Sequence, residues 1–265
     1  MNTDLVERFC TPQIPPLIEY DSKVLADAKR IEFPFEGVSL NGYCWGKGRT
    51  ILLVHGWGSR ASHLAHLGRL LSKSGFRIIV YDAPAHFSSS GYTGKSTSNM
   101  FEYCRALSAI AKKDEPLYAL IGHSFGAFCA ALTTSGRLAF TDYKISVEKL
   151  LLISTPPTLT DVLRSFCKHN GLDSSGFSEL KESLEANFSF SVDDYDIKSA
   201  LQSVAAKTLL IHDTDDEEFS IADIYSIQKD LPHLQLFTTR GSGHQKILIN
   251  RAMIAHVKEY LLGTN

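Results

Sequence analysis

Six runs of this chain, TILLVHG, FRIIVYD, LYALIGH, KLLLIST, KTLLIHD and LQLFTT, are almost continuous in valine, isoleucine and leucine, and segments of helical pattern separate them. A strand with one wet face alternates apolar and polar residues, so an unbroken apolar run belongs to a strand covered on both faces. Strands joined by helix-length crossovers lie parallel, with the helices packed on both sides of the sheet. Upstream, RIEFPFEGVSLNGYCWGKG alternates around Gly37 and Asn41-Gly42 and reads as an antiparallel hairpin. The expected fold is α/β: a doubly wound, mostly parallel sheet of about eight strands.

With 265 residues, 44% of them hydrophobic, the chain can fill one sizeable core. We divide it into an N-terminal arm or helix (1–30), a core made of 31–155 and 207–265, and an insertion (156–206) too long for a simple crossover. Within the insertion, TLTDVLRSFCKHN and GFSELKESLEANF carry apolar residues at helical spacing, as a small helical lid would. Leu159, Leu163 and Phe166 fall at i, i+4 and i+7 there, which suits either an acyl pocket or packing onto the core. Insertions after strand C-termini stand beside the ligand crevice of an open α/β sheet.

The formal charge of -2 and the absence of a dense Lys/Arg cluster argue against a nucleic-acid partner. Cys10, Cys44, Cys104, Cys129 and Cys167 are scattered and odd in number, with no C-x-x-C pair, so they read as reduced, mostly buried thiols. No apolar run reaches membrane-spanning length, and a cytoplasmic location without membrane insertion is expected. The oligomeric state is not legible.

Chemistry enters at LYALIGHSFGAFCAAL. GHSFG fits G-x-S-x-G at the end of a strand and the start of a helix, where a sharp elbow would expose the Ser124 hydroxyl, and Gly122 and Gly126 leave room for the helix to pass the sheet. A serine nucleophile needs a base, and the base a carboxylate to orient it. GSGH supplies His244 after the last strand. HDTDD supplies Asp213, Asp215 and Asp216 after the strand before it; Asp216 is preferred, with Asp215 its rival. Acyl transfer also needs N–H donors for the oxyanion. These are assigned to the backbones of Phe125, which follows the nucleophile, and of Trp57 in HGWG.

Taken in order, HGWG, YDAPAHFSSSG, GHSFG, HDTDD and GSGH resemble the oxyanion, intermediate, elbow, acid and histidine loops of the α/β-hydrolase superfamily, and the chain is similar to its compact bacterial serine hydrolases. The resemblance implies a Ser124-Asp216-His244 triad, oxyanion donation by Trp57 and Phe125, and no metal or organic cofactor. Two departures stand out. Ala85 and Phe87 replace usual glycines, so that loop is expected to take another path, with Phe87 narrowing the entrance to a cleft that favours short and medium acyl groups. Asp213 also stands where glycine is common. His55 and His123 read as hydrogen-bonded scaffold, and GYTGKSTS as a surface loop rather than a phosphate cradle.

The expected function is hydrolysis of a small-molecule carboxylic ester or thioester through an acyl-enzyme. Alternatives on the same residues are a cofactor-free perhydrolase, a lactonase, a C-C bond hydrolase, or a non-catalytic small-molecule receptor.

Overall fold

The computed structural model describes residues 3–89, 91, 95–138 and 143–263; residues 92–94 of the GYTGKSTS loop lie outside the described residues. Two short helices, α1 (Thr3–Cys10) and α2 (Glu19–Leu25), lead into β1 (Lys29–Phe35), β2 (Val38–Trp45) and β3 (Arg49–Val54). There follow α3 (Ala61–Ser72), β4 (Phe76–Tyr81), α4 (Met100–Lys113), β5 (Leu117–His123), α5 (Phe125–Ser135) and β6 (Val147–Ile153). The insertion holds α6 (Leu159–His169), α7 (Ser174–Phe188) and α8 (Ile197–Leu201). The chain then returns through β7 (Lys207–Asp213), α9 (Ile221–Asp230), β8 (Gln235–Thr239), α10 (Gly243–Lys246) and α11 (Arg251–Leu262).

Among the described residues the sheet has eight strands in the order β1-β2-β4-β3-β5-β6-β7-β8. β1, β2 and β4 pair antiparallel, and the six strands from β4 to β8 are parallel. The unbroken apolar runs serve both faces in period two. Leu52, Leu120, Leu150 and Leu210 point into the core under α4 and α5, while Ile51, Ile121, Leu151 and Ile211 point into the core under α3 and α11. The hairpin turn is at Glu36-Gly37, both with positive φ (44° and 85°), as a two-residue turn of right-handed strands requires. Asn41-Gly42, the stronger turn signal in the sequence, lies inside β2. Gly42 is glycine because a Cβ there would stand 2.8 Å from the Phe33 ring.

From β3 the chain steps outward to β4 and then crosses back, so that β5 flanks β3 on its other side. Crossovers diverging from adjacent strands open a crevice at the strands' carboxyl ends. HGWG follows β3 at that crevice, and Ser124 follows β5.

Candidate active site

Ser124 sits between β5 and α5 with φ 53° and ψ -127°, a backbone conformation that costs a non-glycine residue about 1–3 kcal/mol. Its neighbours enforce it. A Cβ on Gly122 would stand 2.4 Å from the Ala127 Cα, and one on Gly126 would stand 2.2 Å from the His55 carbonyl oxygen. The first turn of α5, buried along its whole length, is thereby pressed against the end of β3.

The loops after β7 and β8 bring the other two groups to this point. With Nδ1 carrying the ring proton, the Ser124 hydroxyl donates to His244 Nε2 at 2.9 Å, and His244 Nδ1–H donates to Asp216 Oδ2 at 2.9 Å. Asp216 Oδ1 accepts from the backbone N–H groups of Glu218 (2.9 Å) and Phe219 (3.2 Å). Burial pushes the Asp216 carboxyl up, but the bonds and charge of His244 and the two N–H donors outweigh it and hold it below its ordinary range.

Asp213 and Asp215 take other parts. Asp213 accepts from Asp215 N–H (3.0 Å), Thr239 Oγ1 (2.6 Å) and Ser242 N–H (3.0 Å), so its carboxylate ties the acid loop to the histidine loop. Asp215 is half-exposed and faces Arg240 at 3.8 Å. Four buried histidines frame the site. His123 Nε2–H donates to the His244 carbonyl (2.9 Å), and burial, together with nearby His244, pushes its pKa down to about 3. His212 packs behind Asp216 at 3.5 Å and donates to the Phe219 carbonyl. Its role was not legible in the sequence, where it is one more residue of an apolar strand.

The third, His55, grips the HGWG loop. Its Nε2 accepts from Ala83 N–H (2.9 Å), and its Nδ1–H donates to the Gly56 carbonyl (2.7 Å). That carbonyl shares a planar trans peptide with the Trp57 N–H, so fixing one fixes the other in the opposite direction. His86, pushed down to about 4 by burial, accepts from Gly58 N–H at 3.1 Å and holds the far end of the loop. The loop lies close over the serine: a Cβ on Gly56 would stand 3.0 Å from Ser124 Cβ. Among the described residues, neither the Trp57 nor the Phe125 N–H has an acceptor.

A cavity of about 470 Å³ opens beside Ser124 and His244. Leu159, Leu163 and Phe166 line it, and Leu159 and Leu163 are at the same time buried in the core, so the two readings of that stripe coincide. Phe87 requires a correction. Ala85 (φ 61°) and Phe87 (φ 42°) adopt the left-handed backbone despite carrying side chains, so substitution did not divert the loop out of that conformation. Phe87 then turns outward, 41% exposed, over the Arg60 guanidinium at 5.2 Å, and lines a separate hollow. It does not narrow the entrance. The sequence reading allowed an arm or helix within residues 1–30 but gave it no part in the site, whereas α1 closes one side of the cavity; the available signal is the helical spacing of Leu5, Val6, Phe9 and Cys10.

Four of the five cysteines are buried, Cys44 is half-buried, and all are free. No helix among the described residues is long and apolar enough to cross a membrane.

A family model described as the alpha/beta hydrolase family matches residues 51–252. No curated protein matches the sequence. Among solved structures, a Pyrococcus furiosus esterase superposes with a TM-score of 0.69 at 20% identity, covering 96% of this chain and 97% of its own. The thioesterase domain of the curacin biosynthetic pathway gives 0.63 at 16% identity, covering 89% and 99%. A Butyrivibrio proteoclasticus protein solved with ferulic acid bound gives 0.64 at 16% identity, covering 88% and 97%. At these identities the likeness is one of fold.

Proposed function

The chain belongs to the alpha/beta hydrolase family, and on that premise we propose that it is a serine hydrolase that cleaves a small-molecule carboxylic ester or thioester through an acyl-enzyme. Ser124 Oγ attacks the carbonyl carbon while His244 Nε2 takes its proton. The carbonyl π electrons move onto oxygen, and the resulting oxyanion is held by the Trp57 and Phe125 N–H groups. As the tetrahedral intermediate collapses, the C–O or C–S bond breaks and His244 returns the proton to the leaving alcohol or thiol. Water then attacks the acyl-enzyme with the same histidine as base, and the free acid departs as Ser124 regains its proton. Asp216 keeps the imidazole in the required tautomer and stabilises its charged form.

What carries this reading is the continuous bonding from Ser124 Oγ through His244 to Asp216, 2.9 Å at each step, on a backbone elbow that faces a cavity. Support for the oxyanion role comes from two N–H groups beside the serine that have no acceptor among the described residues. Esterase and thioesterase folds among the structural neighbours agree with it.

The test is turnover of p-nitrophenyl butyrate by the purified protein and by Ser124→Ala. Hydrolysis that falls at least a thousandfold in the folded variant is the expected result. Undiminished hydrolysis would place the chemistry elsewhere.

A further inference from the structure

One side of the cavity is built by a part of the chain that precedes the family match at residues 51–252. Helix α1 buries Leu5, Val6 and Cys10 in the main core and turns Phe9 toward α6, where its ring meets Phe166 edge-on at 5.2 Å. Phe9 and Phe166 both line the cavity that reaches Ser124. The helix is not loosely draped. Ser98 N–H donates to the Cys10 carbonyl at 2.8 Å, and the Gln13 carbonyl lies so close to the HGWG loop that a Cβ on Gly58 would stand 2.8 Å from it. Farther along, the buried Arg60 donates to the carbonyls of Pro15 and Pro16 and pairs with the buried Asp21 at 3.5 Å. Removing a partner from so buried a charge is costly, which fixes the strap in place.

The chemistry of the whole lining selects a ligand class. Phenylalanines 9, 101, 166, 188 and 190 face the cavity together with Trp57. Of the charged side chains on its lining, Glu218 accepts from Ser165 and lies 3.6 Å from His169, while the exposed Arg8 donates to the neutral amide oxygen of Asn170 at 3.1 Å. A charged acyl group packed among these rings would lose water without gaining a hydrogen bond from them, whereas an apolar one meets aromatic faces.

We propose that α1 is part of the substrate-binding surface, and that Phe9, packed on Phe166, is a specificity-determining residue that selects apolar acyl groups long enough to reach it. The proposal rests on the reading of Ser124 as an esterase nucleophile. It concerns a residue outside the catalytic machinery, so acetyl esters, whose acyl group offers least apolar surface to Phe9, serve as the internal control.

The experiment compares kcat/KM for p-nitrophenyl acetate and octanoate in the native protein, Phe9→Ala and Phe9→Leu. It adds calorimetric binding of 2-decanone, a methyl ketone that carries an eight-carbon alkyl chain and cannot be hydrolysed. Phe9→Ala is expected to lower kcat/KM for octanoate about tenfold, mostly through KM, with acetate within about twofold; Phe9→Leu, which keeps apolar contact, is expected to recover most of the loss. 2-Decanone should bind Phe9→Ala about tenfold more weakly than the native protein. An octanoate-to-acetate ratio unchanged in Phe9→Ala would overturn the proposal. Should the native protein cleave neither ester, the esterase reading falls. The role of α1 is then decided by 2-decanone alone: weaker binding by Phe9→Ala upholds it as a ligand wall, and equal binding overturns it.

Discussion

Two neighbouring aspartates separate chemistry from surface. Asp216 holds His244 Nδ1 at 2.9 Å and is itself held by two backbone N–H groups, while Asp215 stands half-exposed toward Arg240. Asp216→Asn should therefore lower kcat by roughly three to four orders of magnitude through loss of the imidazole's orientation, and Asp215→Asn by less than about threefold. Steady-state kinetics of the two purified variants on p-nitrophenyl butyrate checks this, and the reverse ranking would move the orienting carboxylate to Asp215. The residue types of the site were legible in the sequence because each has a chemical duty at the end of a strand. The choice between two adjacent carboxylates was less so, because it turns on a loop path set by Asp213, which bonds the acid loop and the histidine loop together. Phe87 was misread for the same reason: a loop side chain's direction follows from contacts, here with Arg60, that the local sequence does not encode.

At the level of elements, strands were readable and their junctions were not. A run such as KLLLIST has one stable use in an α/β fold, since both its faces must be buried. The hairpin turn was ambiguous because glycine serves two ends, positive φ at Gly37 and close packing at Gly42. The place of α1 beside the site was not legible, because an eight-residue helix is too short to be stable alone and only the fold supplies the surface its apolar face needs. The β5–α5 elbow is the junction with least tolerance. Gly126→Ala would put a methyl group 2.2 Å from the His55 carbonyl oxygen, with backbone on both sides. Its destabilisation should be about 3 kcal/mol or more, read as a lowered urea midpoint with unchanged m-value. A midpoint equal to that of the native protein would mean that α5 is free to retreat from β3.

Across the whole molecule, burial of neutral histidines links the site to stability. His55, His86 and His123 are all pushed down by burial, His86 to about 4 and His123 to about 3, whereas unfolding returns each to about 6.5. Their contribution is fully present above pH 6.5 and is lost as pH falls toward the folded values. Each group steepens the loss by about 1.4 kcal/mol per pH unit. Asp82 acts in the opposite sense: burial pushes it up to about 6, so it favours the fold below the ordinary carboxylate range and loses that contribution as pH rises through about 6. Three histidines outweigh one carboxyl. The unfolding free energy should be nearly level from pH 7 to 8 and fall steeply between pH 6.5 and 4, as measured by urea titration at each pH; a level profile down to pH 4.5 would mean that these histidines are charged in the folded protein. The central claim, that this family member works through a covalent intermediate on Ser124, is tested most directly by mixing the protein with p-nitrophenyl butyrate, quenching in acid within the first turnover and locating the added mass by peptide fragmentation. The predicted result is a butyryl group on Ser124 that forms during a burst of nitrophenol and is absent from Ser124→Ala; ester turnover with no acyl group on Ser124 at any quench time, or with the acyl group on another side chain, would contradict it.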